Sequence, residues 1–296
     1  MGNQNEVIRS SMNNLIQKEN HKTKYTDAVS KKYLVEIRKK YDEWKKANED
    51  LNGPCAEKKD GDSETIEKRV KLFNEYKNFV DQQHYAEKFD SRSNLHSSIL
   101  EEFIFYLFSD FVSEFSDNAL IGKARAFKDI FFQAKNYKEM VDKPCAQIEI
   151  KDHDFVIGVN IETDMKCEGS SSKQTEILQV PAVAIECKTY LDKTMLEGSS
   201  TAGAQLISRN PNAIYVVVAE WLKLTDKVNL KKYRVDQIFV LRKQKNTDRE
   251  FRYDEGYEKN PIYPDVVEAL FEMVREHLTK TWDGSVQNKL KTGLLI

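Results

Sequence analysis

Glu186 and Lys188 stand two residues apart in "VPAVAIECKTYLDK", residues 180 to 193, near the end of a run that is otherwise apolar. Extended backbone alternates side chains between faces, so the acid and the amine share one side while Ile185 and Cys187 share the other. On a half-exposed strand such a pair is an ordinary ion pair. On a central strand, which the run "VPAVAI" suggests, both charges need compensation by a metal, a partner or water. A second acid is available in "KDHDFVIGVN", where Asp154 leads directly into another apolar strand. If the two strands pair, the carboxylates converge and supply the hard oxygen ligands that Mg²⁺ takes alongside water and phosphate. A metal there can orient a water, lower its pKa and neutralise charge on a phosphorane-like transition state, with the lysine amine close by. Phosphodiester hydrolysis needs those parts.

With these residues the chain resembles the PD-(D/E)xK nuclease superfamily, the fold of many type II restriction endonucleases. Asp154 matches the metal-binding aspartate of that pattern, and Glu186, Cys187 and Lys188 match its (D/E)xK triplet. The resemblance spans residues 93 to 242. It implies a Mg²⁺-dependent, site-specific endonuclease acting on double-stranded DNA, with Asp154 and Glu186 holding the metal and Lys188 positioning or activating the water. Many such nucleases carry a glutamate on the helix before the first catalytic strand, and "HSSILEEF" offers Glu101 and Glu102, Glu101 slightly preferred as the assisting acid. The sequence departs from the pattern in having His153 in place of a proline before the aspartate, and in a long interval of 32 residues from Asp154 to Glu186. That interval leaves Asp164 as a competitor for the metal; Asp154 is preferred because Asp164 adjoins "KCEGSSSKQ", which reads as an exposed loop, and Asp152 is weaker still.

The segment "IECKTYLDKTMLEG", a helix and then "NPNAIYVVVAEW" is further similar to restriction endonucleases of the Bpu type, which act as two related but non-identical subunits on a short asymmetric site. That resemblance implies either a homodimer or a heterodimer with a related subunit.

The elements that must position these residues follow from periodicity. Tyr33, Leu34, Ile37, Tyr41 and Trp44 recur at helical spacing, as do Ile66, Val70, Phe73, Tyr76 and Phe79, with the Gly- and Pro-bearing "NGPCAEKKDGDSE" between them. The two segments can pair as a helical hairpin. A very apolar helix follows, capped by Ser93 or Asn94 and buried through Leu95, Ile99, Phe103, Tyr106 and Leu107, which predicts packing against a sheet. From about residue 145 the period becomes that of strands: "QIEIKDHDFVIGVNIE", "VPAVAIECKTY", "AIYVVVAEW" and "VDQIFVLRK", with a crossover helix in "DKTMLEGSSTAGAQLISRN". The apolar run 214 to 219 predicts a strand buried on both faces, and "PDVVEALFEMVREHLTKTW" a final helix led by Pro264. The expected fold is α/β: a restriction-endonuclease-like core in which helices flank a central mixed β-sheet, preceded by a helical region. Residues 1–92 are assigned to that region, for DNA or subunit contacts, and 93–296 to the nuclease domain.

Composition limits the alternatives. A chain of 296 residues with 40% hydrophobic residues buries a substantial core. Its formal net charge of −2 means that DNA must be held by locally gathered cations, not bulk charge. Four cysteines without a CxxC pair predict neither a zinc site nor a disulfide framework, which fits a reducing cytoplasm. No secretory signal and no membrane span is read, and Glu6 stands where a myristoylation signal wants Ser or Thr. Candidate DNA contacts are Lys193, Gln205 and Arg209 with Thr194 and Asn210 beside them, the basic stretch 241 to 249, and Lys31, Lys32, Arg38, Lys39 and Lys40; each has a solvated-surface reading beside it, which the sequence favours for the last group. Cys187 reads as a small buried side chain, and His96 as a helix-start residue. Two other functions share these features: a repair or recombination nuclease that recognises DNA structure, and a non-catalytic DNA-binding subunit whose acids form only a charge cluster.

Overall fold

The computed structural model describes residues 10–89, 94–246, 256–282 and 286–293. Glu6, Ser93 and residues 247–249 of the basic stretch lie outside them. Four helices come first: α1 (Ser10–Glu19), α2 (Ala28–Glu49), α3 (Asp62–Val80) and α4 (Gln83–Phe89). The expected hairpin is α2 with α3, where Trp44 stacks on Tyr76 with ring centroids 5.0 Å apart. Asp27 caps α2, its side chain accepting the Ser30 N–H at 3.0 Å. Of the basic residues on α2, Lys31, Lys32, Lys39 and Lys40 are exposed, and Arg38 pairs with Glu19 at 2.8 Å.

The apolar helix α5 (Asn94–Ser113) follows. After it comes a five-stranded mixed sheet: β1 (Leu120–Phe132), β2 (Ala146–Lys166), β3 (Lys173–Leu191), β4 (Ile214–Leu222) and β5 (Gln237–Val240), in that spatial order. β2 runs antiparallel to both β1 and β3, and β3, β4 and β5 run parallel. A short helix α6 (Tyr137–Asp142) joins β1 to β2, and the crossover between β3 and β4 is α7 (Lys193–Arg209). Helices α8 (Pro264–Thr279) and α9 (Val286–Thr292) end the chain.

Phe155, Ile157, Val183, Ile185, Val216 and Val218 pack beneath α5 and α8 on one face of the sheet. Val156, Ala184, Val217 and Ala219 meet Leu196, Ala202 and Leu206 of α7 on the other. Strand β4 is buried on both sides, as its apolar run requires. The first face is also where the amino-terminal helices lie: Ile37, Tyr41, Trp44 and Phe73 belong to one continuous core with Phe103, Phe155 and Val216, so packing crosses the division at residues 92 and 93.

Two expectations are corrected. The sheet begins at Leu120, not near residue 145. The buried positions of β1 are Gly122, Ala124 and Ala126, separated by Lys123 and Arg125, so small residues fill the inward face and the usual β-branched signal is missing. His96 stands in the first turn of α5, as expected, and is fully buried there with Nδ1 3.0 Å from Asp81 Oδ1. Arg242, counted among possible DNA contacts, is equally buried: its guanidinium donates to Glu220 at 3.0 Å and lies over the Trp221 ring. Glu220 also meets Lys77 at 3.4 Å, and Lys77 meets Asp81 at 2.7 Å, giving a buried charge network between α3 and the sheet.

Candidate active site

β2 and β3 form one long hairpin whose register pairs Phe155 with Ile185 and, at its far end, Asp164 with Thr175. The hairpin accounts for the long interval between Asp154 and Glu186. It also sends Asp164 to an exposed position, where Lys173 at 2.6 Å and the Thr175 hydroxyl at 2.7 Å satisfy it. Asp154, by contrast, lies in an irregular piece of β2. Between the pairs Gly122–Val156 and Ala124–His153, β1 advances two residues and β2 three, so Asp154 and Phe155 together oppose Lys123. Such a bulge turns a side chain out of the regular alternation.

That turn brings Asp154 against the triplet. Its Oδ2 accepts the Cys187 N–H at 2.9 Å and lies 3.4 Å from Lys188 Nζ. Lys188 donates to Glu186 Oε1 at 2.6 Å. The other oxygen of Glu186 accepts the Tyr215 hydroxyl of β4 at 3.1 Å. Helix α5 contributes Glu101 and Glu102, which both line a small cavity with Ser10, Gly122, Lys123 and Asp154. Lys123 Nζ is 3.9 Å from Glu101 Oε2.

The electrostatics follow from crowding three carboxylates beside one another. Burial, then the Glu186 carboxylate, raises the pKa of Asp154 above the usual range. Burial and the Asp154 charge do the same to Glu101. Burial alone would lower Lys188, but Asp154 and Glu186 outweigh it and hold the ammonium above the ordinary lysine value. Burial pushes the Cys187 thiol far up, which leaves it protonated and inert as a nucleophile. Burial also lowers His153, whose ring stands edge-on to Tyr215 at 5.7 Å.

Among the described residues, no three metal-binding side chains converge closely enough to enclose an ion. A hard divalent cation does not require that, because one or two carboxylates suffice when water and phosphate oxygens complete the shell. Asp154 and Glu186 approach closely enough to share the Lys188 ammonium, so the donor set fits such a cation.

Glu102 has a different surrounding from its neighbour. It is buried, accepts hydroxyl hydrogen bonds from Tyr41 at 2.7 Å and Tyr106 at 3.1 Å, and takes the Ser11 N–H at 3.1 Å. These bonds tie α5 to α1 and α2. The proposed DNA contacts spread along α7, a helix of 17 residues and so roughly 25 Å long. Lys193 is exposed in the first turn, 3.8 Å from Glu197, and Gln205 is exposed on the helix side. Arg209 lies at the opposite end, paired with Asp129 and donating to the Lys128 carbonyl at 3.2 Å. Asn210 donates to the Pro181 carbonyl at 2.7 Å and caps the helix structurally.

Tyr215 and Lys123 were not singled out by sequence reasoning. Tyr215 sits inside "AIYVVVAEW", where only the parallel register of β3 and β4 reveals that it reaches Glu186. Lys123 belongs to the strand that its alanines concealed.

The family model of the Bpu10I restriction endonuclease matches residues 92–295. The chain belongs to that family. As a Bpu10I-family protein it is a type II site-specific DNA nuclease. No curated protein matches the sequence. Among solved structures, the chain is similar to one described as the native BbvCI A2B2 tetramer at low resolution, with a TM-score of 0.66, 19% identity, and coverage of 91% of this chain and 95% of that one. At that identity the likeness speaks for the fold, and it extends over the amino-terminal helices that the family match omits. Among the described residues no helix is long and apolar enough to cross a membrane.

Proposed function

We propose that this Bpu10I-family protein cuts double-stranded DNA at a short asymmetric site in a Mg²⁺-dependent reaction, in the cytoplasm, as one of two related subunits or as a homodimer. The observation that carries the reading is the cluster on β2 and β3, where Lys188 bridges Asp154 and Glu186 at 3.4 and 2.6 Å within reach of Glu101. Asp154 and Glu186 would hold the metal. When bound, Mg²⁺ supplies a water of lowered pKa and neutralises charge on the phosphorane-like transition state. Lys188 positions or activates that water and holds the two carboxylates at fixed spacing, and its charge lies beside the phosphate. Glu101 is a further acid beside Asp154, and Lys193, Gln205 and Arg209 meet the DNA backbone along α7. The A2B2 assembly named for the structural neighbour supports the paired arrangement, because one copy of this cluster reaches one strand.

The test is cleavage of a long DNA of known sequence, in Mg²⁺, by the chain and its Glu186→Ala variant, with products run on native and denaturing gels. Discrete double-strand fragments lost in the variant support a site-specific enzyme acting alone. Site-specific nicks lost in the variant support half of a two-subunit enzyme. A smear indicates recognition of DNA structure in place of sequence. Cleavage that survives Glu186→Ala overturns the assignment of the site, and Mg²⁺-independent DNA binding without product points to a non-catalytic subunit.

A further inference from the structure

We propose that Lys123 is a second catalytic cation, contacting a non-bridging oxygen of the scissile phosphate from the side opposite Lys188. The inference rests on the reading of Asp154 and Glu186 as the metal-binding pair. Lys123 is the single β1 residue facing the bulge that carries Asp154, so the same irregularity that turns the carboxylate toward the cavity leaves Lys123 beside it. Gly122 immediately before it has φ +107°, a conformation that favours glycine and here sets the strand's direction at that point.

The two lysines differ in how far their charges are committed. Lys188 donates to both Glu186 and Asp154, and only 24% of its side chain is exposed. Lys123 is 50% exposed, and its approach to Glu101 at 3.9 Å is at the outer limit of an ion pair. The loosely held ammonium is therefore the one able to turn to an incoming phosphate without breaking a short hydrogen bond. Charge balance points the same way. Glu101, Asp154 and Glu186 bring three negative charges when ionised; a divalent cation and Lys188 together only match them. Adding Lys123 leaves a surplus of one positive charge, which corresponds to the single negative charge of a phosphodiester. As charge grows on the phosphate oxygens in the transition state, a preplaced ammonium in a partly enclosed site stabilises it more than the ground state.

The competing role for Lys123 is simply to offset Glu101. A double-mutant comparison separates the two, using the full chain together with its partner subunit where cleavage requires one. Single-turnover cleavage in Mg²⁺, DNA affinity in Ca²⁺ and the melting temperature are measured for Lys123→Met, Lys123→Arg, Glu101→Gln, Glu186→Ala and the Lys123→Met/Glu101→Gln pair. The proposal expects Lys123→Met to slow cleavage by about 100-fold or more, as loss of one charge-stabilising donor does, with DNA affinity changed less than about threefold and the fold intact. Lys123→Arg restores most of the rate, and Lys123→Met remains as damaging when added to Glu101→Gln. If Lys123→Met has no effect in the Glu101→Gln background, Lys123 only offsets Glu101 and the proposal is overturned. It is equally overturned if Lys123→Met weakens DNA binding while leaving the single-turnover rate of bound DNA unchanged. Glu186→Ala keeps the premise separate: full activity there removes the metal-site reading itself, whereas an inactive Glu186→Ala beside a fully active Lys123→Met removes the Lys123 role alone.

Discussion

Glu101 and Glu102 both border the cavity beside Asp154, but Glu102 is held there by three hydrogen bonds, from Tyr41, Tyr106 and Ser11. Their substitutions should therefore separate cleanly. Glu101→Ala is expected to slow cleavage while retaining the melting temperature; Glu102→Ala strands buried donors at a cost of about 1–3 kcal/mol each where water cannot replace the carboxylate, so it should lower the melting temperature, read by thermal denaturation. Equal melting temperatures for the two variants would contradict this division. A second prediction concerns pH. Burial raises the pKa of Asp154 and Glu101, so the folded protein binds these protons more tightly than the unfolded chain, and the stability this gives is present at low pH and lost as pH rises through the raised values. Mg²⁺ competes with those protons. Its stabilising effect on melting should thus grow as pH rises through the raised range of Asp154, and an effect that stays constant from acid to alkaline pH would show that Asp154 does not bind it. The shared face of Glu186 and Lys188 was legible in the sequence because strand alternation fixes it, and Asp154 was expected beside them if the two strands paired, as they do, but the bulge that turns it there was not. The choice between adjacent glutamates was not, since both positions border the same apolar stripe and the deciding hydroxyl comes from Tyr41, 61 residues earlier.

At the scale of elements, the site depends on how closely α7 approaches β4. Gly203 permits that approach: a Cβ there would lie 2.3 Å from the Arg234 carbonyl oxygen and 3.1 Å from the Tyr215 ring. Gly203→Ala must move the helix or the Arg234 backbone and also presses on the Tyr215 ring, and overpacking of this kind costs about 1–3 kcal/mol. Because Tyr215 donates to Glu186, the variant should also raise the Mg²⁺ concentration needed for half-maximal cleavage. Titration with Mg²⁺ checks this, and an unchanged midpoint together with reduced stability would confine Gly203 to packing. The crossover helix and the doubly buried β4 were readable because each follows a simple period. Strand β1 escaped because Gly122, Ala124 and Ala126 occupy its buried positions, and neither bulge nor register can be read from side-chain polarity alone.

For the whole molecule, the amino-terminal helices matter as much as the sheet. Tyr41, Trp44 and Phe73 share a core with Phe103 and Phe155, and Lys77 on α3 meets the buried Glu220 of β4 at 3.4 Å. A fragment of residues 93–296 would expose that apolar face and leave Glu220 without its amine, although Arg242 still meets it. Removing one member of a buried ion pair is destabilising by about 3–5 kcal/mol, before the lost apolar contacts are counted. The fragment is expected to lack a cooperative melting transition; a sharp transition near that of the full chain would show the helices to be dispensable. The helical character of this region was evident from its spacing, but its attachment to the sheet was not, because contacts between distant segments leave no mark in local periodicity. The family match begins at residue 92, yet the hydrogen bonds of Glu102 reach back to Ser11 and Tyr41. A chimera joined at that border, made to exchange DNA specificity between relatives, would cut through the scaffold that holds α5, so the seam has to be drawn along the α5 surface and both sides of it exchanged together.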